Sequence, residues 1–259
     1  MPSVKAKGKT ARRSVVLDAK GIRYKIFNDM VEEAITNGTR KLKLVNVNGQ
    51  RYIADGVEKK VEIEIYGTPG DDLGSFMNGP IITVYGDAQD GIGNTMNSGK
   101  IIVHGDARDI VGHSMRGGKI YIDGDVGYRV GIHMKEYMDN FPVIISAGVA
   151  GDFLGEYMAG GRIVILGIKG YSNATEIVGD WVATGIHGGV IYVRGEVEEY
   201  KLGIGAKIEE FTDEDRESLK ALLTEFCEIF GYDVEELLDA EFTKITPISH
   251  RPFGDMYTE

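Results

Sequence analysis

The chain has 259 residues, enough for one large domain or two ordinary ones, and 42% of them are hydrophobic, which allows a sizeable core. A formal charge of −11 argues against nucleic acid as the main partner, because phosphate binding needs a basic face. No run of about 18 apolar residues occurs and no apolar segment follows the basic N-terminus, so we expect a cytoplasmic protein without a membrane partner.

The N-terminal part predicts an arm, a helix and a first coil. Residues 1–14 form a basic arm that we expect to be solvated. Residues 22–37 have helical spacing, and the glycine that follows them is a typical stop signal. This helix is expected to cover one end of the domain. Residues 42–67 alternate apolar and polar side chains and are interpreted as an initial, irregular coil.

A repeat of 19 residues dominates the middle of the chain. Three copies follow without a gap at 71–89, 90–108 and 109–127, and imperfect copies begin near residues 128, 151 and 176. An apolar residue precedes one glycine column, and a methionine follows it by three positions in five copies. A recurrent glycine beside apolar residues indicates a backbone conformation or a close approach that only glycine permits. This column contains Gly74, Gly93, Gly112, Gly131, Gly155 and Gly179.

Each copy then continues as a predicted strand in which β-branched residues alternate with other side chains. The inward pairs are expected to be Ile82/Val84, Ile101/Val103, Ile120/Ile122, Val143/Ile145, Ile163/Ile165 and Ile191/Val193. A second set of glycines, Gly86, Gly105 and Gly124, closes strands, and an aspartate follows each one, a pairing typical of turns. The aspartates are Asp87, Asp106 and Asp125.

Nineteen residues are too few for a propeller blade or a strand–helix–strand unit, but they fit one coil of a β-solenoid with two short strands and two turns. The predicted fold is therefore mainly β, a single-stranded right-handed parallel β-helix whose flanking helices act as caps. The insertions at 135–141 and 168–175 are expected at turns.

The C-terminal part predicts a helical cap. Thr212 and Asp215 have the spacing of a capping box at the start of a helix over 213–230, and a shorter helix follows over 233–240. These helices are expected to cover the other end of the solenoid, with the single cysteine, Cys227, buried as a small hydrophobic residue. The tail has no periodicity. The predicted layout is thus an arm (1–14), a β-helix domain with an N-terminal cap (15–205, repeats about 71–198), and a C-terminal cap with a tail (206–259).

The repeat resembles the C-terminal GXGXG-motif domain of the glutamate synthase large subunit, which has a relative in one subunit of formylmethanofuran dehydrogenase. Residues 67–103 carry the resemblance most clearly, and it extends over the chain from about residue 15. The resemblance implies a non-catalytic structural subunit that supports glutamine-dependent ammonia transfer to 2-oxoglutarate. It also implies a flavin-binding synthase subunit and a glutaminase subunit as partners, with FMN and an iron–sulfur cluster held by partners and not by this chain.

The sequence itself predicts no catalytic, cofactor-binding or metal residue. The G-x-S-x-G, P-loop and H-E-x-x-H motifs are all missing. His113 and His133 are expected near each other, whereas His187 and His104 lie apart in the pattern. Metal ligation by the histidines, an acidic or calcium-bridged strip of the three turn aspartates, a homo-oligomer, another redox complex and a solenoid enzyme with its own hydrolytic site stay open as alternatives. The outward strand positions suit an interface better than a catalytic cleft: Thr83, Ile102, Tyr121, Val164 and Tyr192.

Overall fold

The computed structural model describes residues 14–138, 140–169 and 176–249. Nearly all of the predicted basic arm, the end of the tail and most of the insertion at 168–175 lie outside these residues. The strands of the solenoid are β1 (Ser14–Asp18), β2 (Lys41–Asn48), β3 (Glu62–Thr68), β4 (Asn78–Tyr85), β5 (Ser98–Val103), β6 (Lys119–Ile122), β7 (Val143–Ser146), β8 (Ala159–Ile165) and β9 (Gly188–Arg194). Helix α1 (Tyr24–Thr36) lies between β1 and β2, and a 3₁₀ turn (Glu199–Lys201) follows β9. The C-terminal elements are β10 (Ala206–Glu209), α2 (Asp213–Phe230), α3 (Val234–Leu238) and β11 (Phe242–Pro247).

Strands β1 to β9 pair in chain order, and every one of these pairings is parallel. The paired residues Glu62, Ile81, Lys100 and Lys119 are each 19 residues apart, as the repeat requires. A parallel sheet in which each strand joins its neighbour through one coil is a β-solenoid, so the predicted fold class is confirmed.

The interior is a ladder of aliphatic side chains in register. Ile63 and the six isoleucines after it in the same column are at most 1% exposed, and burial of each stabilises the fold by about 1.5–3 kcal/mol. The methionine column lies inside as well, again fully buried. The isoleucine ladder is Ile63, Ile82, Ile101, Ile120, Ile144, Ile163 and Ile191.

Two local predictions about the coils are wrong. In β7 the inward residues are Ile144 and Ser146, not Val143 and Ile145, because Ile144 pairs with Ile120. The segment is apolar at three consecutive positions, so its pattern does not fix which face is inside, and a shift of one residue exchanges the faces. Each coil also has one regular strand instead of two. The opposite side consists of turns with single parallel bridges, such as Ala88 to Ala107.

The solenoid is closed differently at its two ends. At the first end, α1 packs Phe27, Val31 and Ile35 into the interior core, as predicted for a capping helix. At the other end, β11 pairs antiparallel with β9, and β10 pairs with β11. The tail segment without periodicity is therefore a strand that covers the last coil.

The predicted position of the C-terminal helices is wrong. Helix α2 does not cover the last coil but lies on the outer face of β6 to β9, where it forms a second apolar core. The predicted capping box is present, because the Thr212 hydroxyl accepts the Asp215 amide while the Asp215 carboxylate accepts the Thr212 amide. Within the described part of the chain, no helix has the length and apolarity needed to cross a membrane.

Candidate functional site

The corner of each coil has an unusual backbone. Three alternating residues are left-handed, with φ between 51° and 72° in every coil from residue 52 to residue 185. In one coil, Ile110 and Ser114 donate their amides forward to Tyr128 and Ile132, whereas Gly112 donates back to Ile92. The central amide of the corner therefore bonds to the preceding coil, and the two outer amides bond to the following coil. For a residue other than glycine the left-handed region costs about 1–2 kcal/mol, and here this geometry is repeated in every coil.

The central position of the corner faces the interior and favours the smallest residues. A Cβ added at Gly112 would lie 2.5 Å from Cδ1 of Ile144 in the next coil, and one at Gly131 would lie 2.4 Å from Ile163. The two outer positions instead vary in size, from Gly91 and Ser114 to Phe153 and Trp181, and most of them are at least partly exposed. Glycine therefore stands at the centre in five successive coils: Gly74, Gly93, Gly112, Gly131 and Gly155.

The structure corrects both ends of this glycine column. Gly179 does not belong to it, because Ala183 has the left-handed conformation and donates its amide to Leu154, as the column requires. The insertion before residue 176 moves the repeat by four residues, and the sequence Val178–Gly179 imitates the motif. At the other end, Ala54 occupies the same position with φ 61°. Residues 42–67 thus form a coil with the same corner, and it is irregular as predicted, because Lys41 and its partner Glu62 are 21 residues apart and the register shifts between Leu44 and Val47.

The turn aspartates form two ladders of hydrogen bonds. Asp87, Asp106 and Asp125 accept backbone amides of the following coil at 3.0, 2.9 and 2.8 Å. A parallel ladder uses Asp90, Asp109 and Asp152 in the same way. Each carboxylate therefore caps the turn above it. The strand-closing glycines give these carboxylates room, because a Cβ at Gly105 or Gly124 would lie 2.2 or 2.1 Å from an aspartate oxygen.

The histidines occupy separate environments. The ring centroids of His113 and His133 are 6.1 Å apart, as predicted, and His133 stacks on Tyr157 at 5.3 Å. Burial, followed by the neighbouring His133 charge, lowers the pKa of His113. His187 contacts the Gly185 carbonyl, and His104 stacks on Tyr85. In the described part of the chain, no group of three or more His, Cys, Asp or Glu side chains could hold a metal ion.

Aromatic side chains cover the outer positions of the later corners. Phe153 and Trp181 stack at 5.0 Å, and the Arg129 guanidinium lies 4.9 Å from the Phe153 ring centre. Trp181 is 52% exposed and Tyr157 is 45% exposed. We call this surface the aromatic corner: Arg129, His133, Phe153, Tyr157 and Trp181.

The outer sheet face is divided into a covered half and an open half. The covered half consists of β6 to β9, on which Leu219, Leu223 and Phe226 of α2 are fully buried. Three of the outward residues that suggested an interface, Tyr121, Val164 and Tyr192, lie under this helix. The open half consists of β1 to β5.

Three carboxylates fix α2 and its extension to the covered half. The Glu225 carboxylate accepts hydrogen bonds from the ammonium groups of Lys100 and Lys119 and from the Tyr121 hydroxyl. The Asp215 carboxylate accepts hydrogen bonds from the Tyr192 hydroxyl at 2.9 Å and from the Lys244 ammonium at 2.9 Å. The Asp123 carboxylate, which follows β6, accepts a hydrogen bond from the Tyr232 hydroxyl at 2.6 Å. Burial raises the pKa of Asp215, but the Thr212 amide and Lys244 outweigh it and lower that pKa to about 2.

Cys227 lies in the same interface. The side chain is 4% exposed, and burial, followed by the Asp233 charge, raises the pKa of its thiol to about 11. A thiol in this state is a packing residue and a poor nucleophile, in agreement with the expectation from sequence.

A groove with a volume of about 1210 Å³ follows the starts of β1 to β6, along the open half and onto the first strand of the covered half. Five basic and two acidic side chains line it, against a net charge of −11 for the whole chain. Sequence reasoning did not find this groove, because its basic residues come from four separate segments that only the coil register brings together. The basic residues are Arg40, Lys41, Lys60, Lys100 and Lys119, and the acidic residues are Glu62 and Glu225.

Comparison with known proteins agrees with this geometry. The GXGXG motif family, which includes the C-terminal domain of glutamate synthase, matches residues 25–248. The chain belongs to the GXGXG motif family. A relative from Methanocaldococcus jannaschii, described as an uncharacterized protein, is 51% identical over 251 residues, which cover 94% of this chain and 96% of that protein. The three left-handed residues of each corner have the spacing of a G-x-G-x-G pattern, and none of the described coils has glycine at all three positions.

Proposed function

We propose that this GXGXG chain is a non-catalytic structural subunit of a glutamate synthase-type complex in the cytoplasm. The observation that carries the proposal is the family match over residues 25–248. In this proposal a glutaminase subunit releases ammonia from glutamine. A flavin-binding synthase subunit, which holds FMN and an iron–sulfur cluster, then reduces the imine formed with 2-oxoglutarate.

The similarity to known proteins extends over nearly the whole solenoid. The relative from M. jannaschii is matched over 96% of its length, so the two proteins share nearly the same span. A β-solenoid suits a spacer, since each coil contacts only its neighbours and the rod presents long surfaces to partners.

The exposed aromatic residues support a role in assembly. Aromatic side chains and arginine are enriched in the energetically important parts of protein interfaces. The aromatic corner offers both, with Trp181 stacked on Phe153 and Arg129 over the same ring. Conversely, the outward carboxylates Glu64 and Asp123 are paired with Lys41 and Lys169, which leaves them less suited to the acid–base pair of a hydrolase.

The test is purification of the tagged chain after co-expression with the flavin-binding synthase and glutaminase subunits of its source organism. We expect a yellow complex of three chains whose glutamine-dependent glutamate formation falls when the tagged chain is omitted. Recovery of the tagged chain alone, or full activity without it, contradicts the proposal.

Surface variants test the contribution of the aromatic corner to assembly. Trp181→Ser removes a ring that is 52% exposed, and Tyr137→Ser is a matched control whose ring is 71% exposed outside the corner. We expect at least tenfold weaker assembly for Trp181→Ser and no change for Tyr137→Ser. Equal assembly of both variants excludes the aromatic corner as the contact.

A further inference from the structure

The groove on the open half is too long for a small ligand to fill. It touches six neighbouring strands, and strands lie about 4.8 Å apart, so its length is about 24 Å. Its cations form two groups, one at β2 and β3 and one at β5 and β6, about 14 Å apart by the same spacing. A phosphate or a small carboxylate can reach one group but not both.

The two groups have an excess of positive charge. Lys100 and Lys119 share a single carboxylate, that of Glu225, and Lys41 pairs with Glu64. Among the described residues, no carboxylate lies within ion-pair distance of Arg40 or Lys60, which are both exposed. Burial, and then the charge of Lys119, lowers the pKa of Lys100.

Helix α2 shows what this outer face binds. On the covered half it combines an apolar stripe with carboxylates, and Glu225 contacts the basic groove itself. The open half offers the complementary features without an occupant from the described residues. Ile81, which is 42% exposed, lines the groove, and Val16 and Tyr85, which are 61% and 43% exposed, lie on the same outer face further along β1 and β4.

We propose that the open half binds an acidic amphipathic segment of a partner protein, which extends the cover that α2 begins. Its apolar side chains contact Ile81 and Tyr85, and its carboxylates contact Arg40 and Lys60. A segment of about four helical turns matches the groove length, because a helix rises about 5.4 Å per turn. This inference adds to the proposed function one binding surface and the chemistry of the segment that it binds. It rests on the proposed function only for the identity of the complex.

The first experiment measures binding of a peptide probe by fluorescence anisotropy. The probe has the sequence of residues 213–230 with serine for Cys227, and a control peptide has Asn or Gln at every acidic position. We expect saturable binding of the acidic probe and at least tenfold weaker binding of the control peptide. The double variant Arg40→Glu/Lys60→Glu should also bind the probe at least tenfold more weakly than the wild type.

A matched variant separates local contacts from net charge. Lys20→Glu/Lys25→Glu makes the same charge change at exposed residues that do not line the groove, and it should bind the probe as the wild type does. Equal loss in both double variants overturns the inference. It is also overturned if the probe does not saturate, or if inorganic phosphate abolishes probe binding at equimolar concentration, since the groove is then a small-anion site.

Assembly with the synthase and glutaminase subunits distinguishes this inference from the proposed function. If Arg40→Glu/Lys60→Glu assembles as the wild type does, the proposed function stands and the groove inference fails. If neither the variant nor the wild type assembles while the probe still binds the wild type alone, the inference stands and the proposed function fails.

Discussion

The two halves of the outer sheet face have the same backbone and different surfaces. On β6 to β9 the outward column contains Tyr121, Val164 and Tyr192, and α2 covers it. On β2 to β4 the same column contains Lys43, Glu64 and Thr83, and no helix among the described elements lies there. The interior isoleucine ladder continues from β3 to β9 through both halves, and Leu42 and Val15 occupy the same column on β2 and β1. Stability of the coils therefore comes from inside, and the outward side chains decide whether a coil is closed by its own chain or is available to a partner.

The largest expected difference between the halves is at Phe226. This ring is fully buried in the second core and packs edge-on against Tyr121 at 5.7 Å. Phe226→Ala should lower the free energy of unfolding by about 3–5 kcal/mol, because it leaves a cavity. Tyr85→Ala on the open half, where the ring is 43% exposed, should cost less than about 1.5 kcal/mol. Urea denaturation measures both, and equal losses would show that α2 does not seal its half.

Substitutions of the corner glycines should have similar effects on stability in every coil, because the interior packing is the same in both halves. Gly93→Ala places a Cβ 2.5 Å from Ile120, and Gly131→Ala places one 2.4 Å from Ile163. Each should lower the free energy of unfolding by about 2–4 kcal/mol, from left-handed strain and overpacking together. Gly38→Ala is the control, because its φ is 89° but nothing lies within 4 Å of the added carbon. Gly38→Ala should lower the free energy of unfolding by about 1 kcal/mol. If it lowers this free energy as much as the other two substitutions do, overpacking does not contribute to their effect.

The strongly periodic parts of the molecule could be predicted from its sequence. The 19-residue spacing and the alternating isoleucines predict a solenoid, because only stacked coils of that length bury such a face. The prediction failed where the local signal was ambiguous. Val143 to Ile145 is apolar throughout, and Val178–Gly179 imitates the corner motif four residues before the true position at Ala183.

The candidate surfaces were harder to predict, for a physical reason. Helix α2 was recognised from its capping box and its apolar stripe, but a stripe does not say which surface it covers. The basic groove collects Arg40, Lys60 and Lys100 from separate coils and from different positions of the repeat, because the counterpart of Lys100 on β3 is Glu62 and not Lys60. Only the register places them along one groove.

Acid should loosen the covered half first. The pKa of Asp215 is lowered to about 2 from an unfolded value near 3.9, so its ionised form stabilises the fold fully above about pH 4. This contribution, about 2 kcal/mol, is lost as the pH falls from about 4 to 2. Asp215→Asn should therefore be less stable than the wild type by about 2 kcal/mol at pH 7, and the gap should narrow in that window. Asp213→Asn, in the same helical turn, should cost less than about 0.5 kcal/mol, and a gap that does not change with pH contradicts this account.

The smallest effect is expected at the boundary between the halves. Glu225→Gln removes the carboxylate that Lys100 and Lys119 share, and leaves two cations together at the end of the groove. Because Glu225 is 35% exposed, solvent screens the pair and the expected loss is only about 1 kcal/mol. At about 1 M sodium chloride the Debye length is about 3 Å, so the repulsion between the two lysines should be screened and the difference should largely disappear. Urea denaturation at low and high salt measures it. A loss of stability that does not depend on salt would mean that Glu225 acts through packing and the Tyr121 hydrogen bond. Charge attraction between α2 and the groove lysines would then contribute little to fixing the helix at the boundary between the halves.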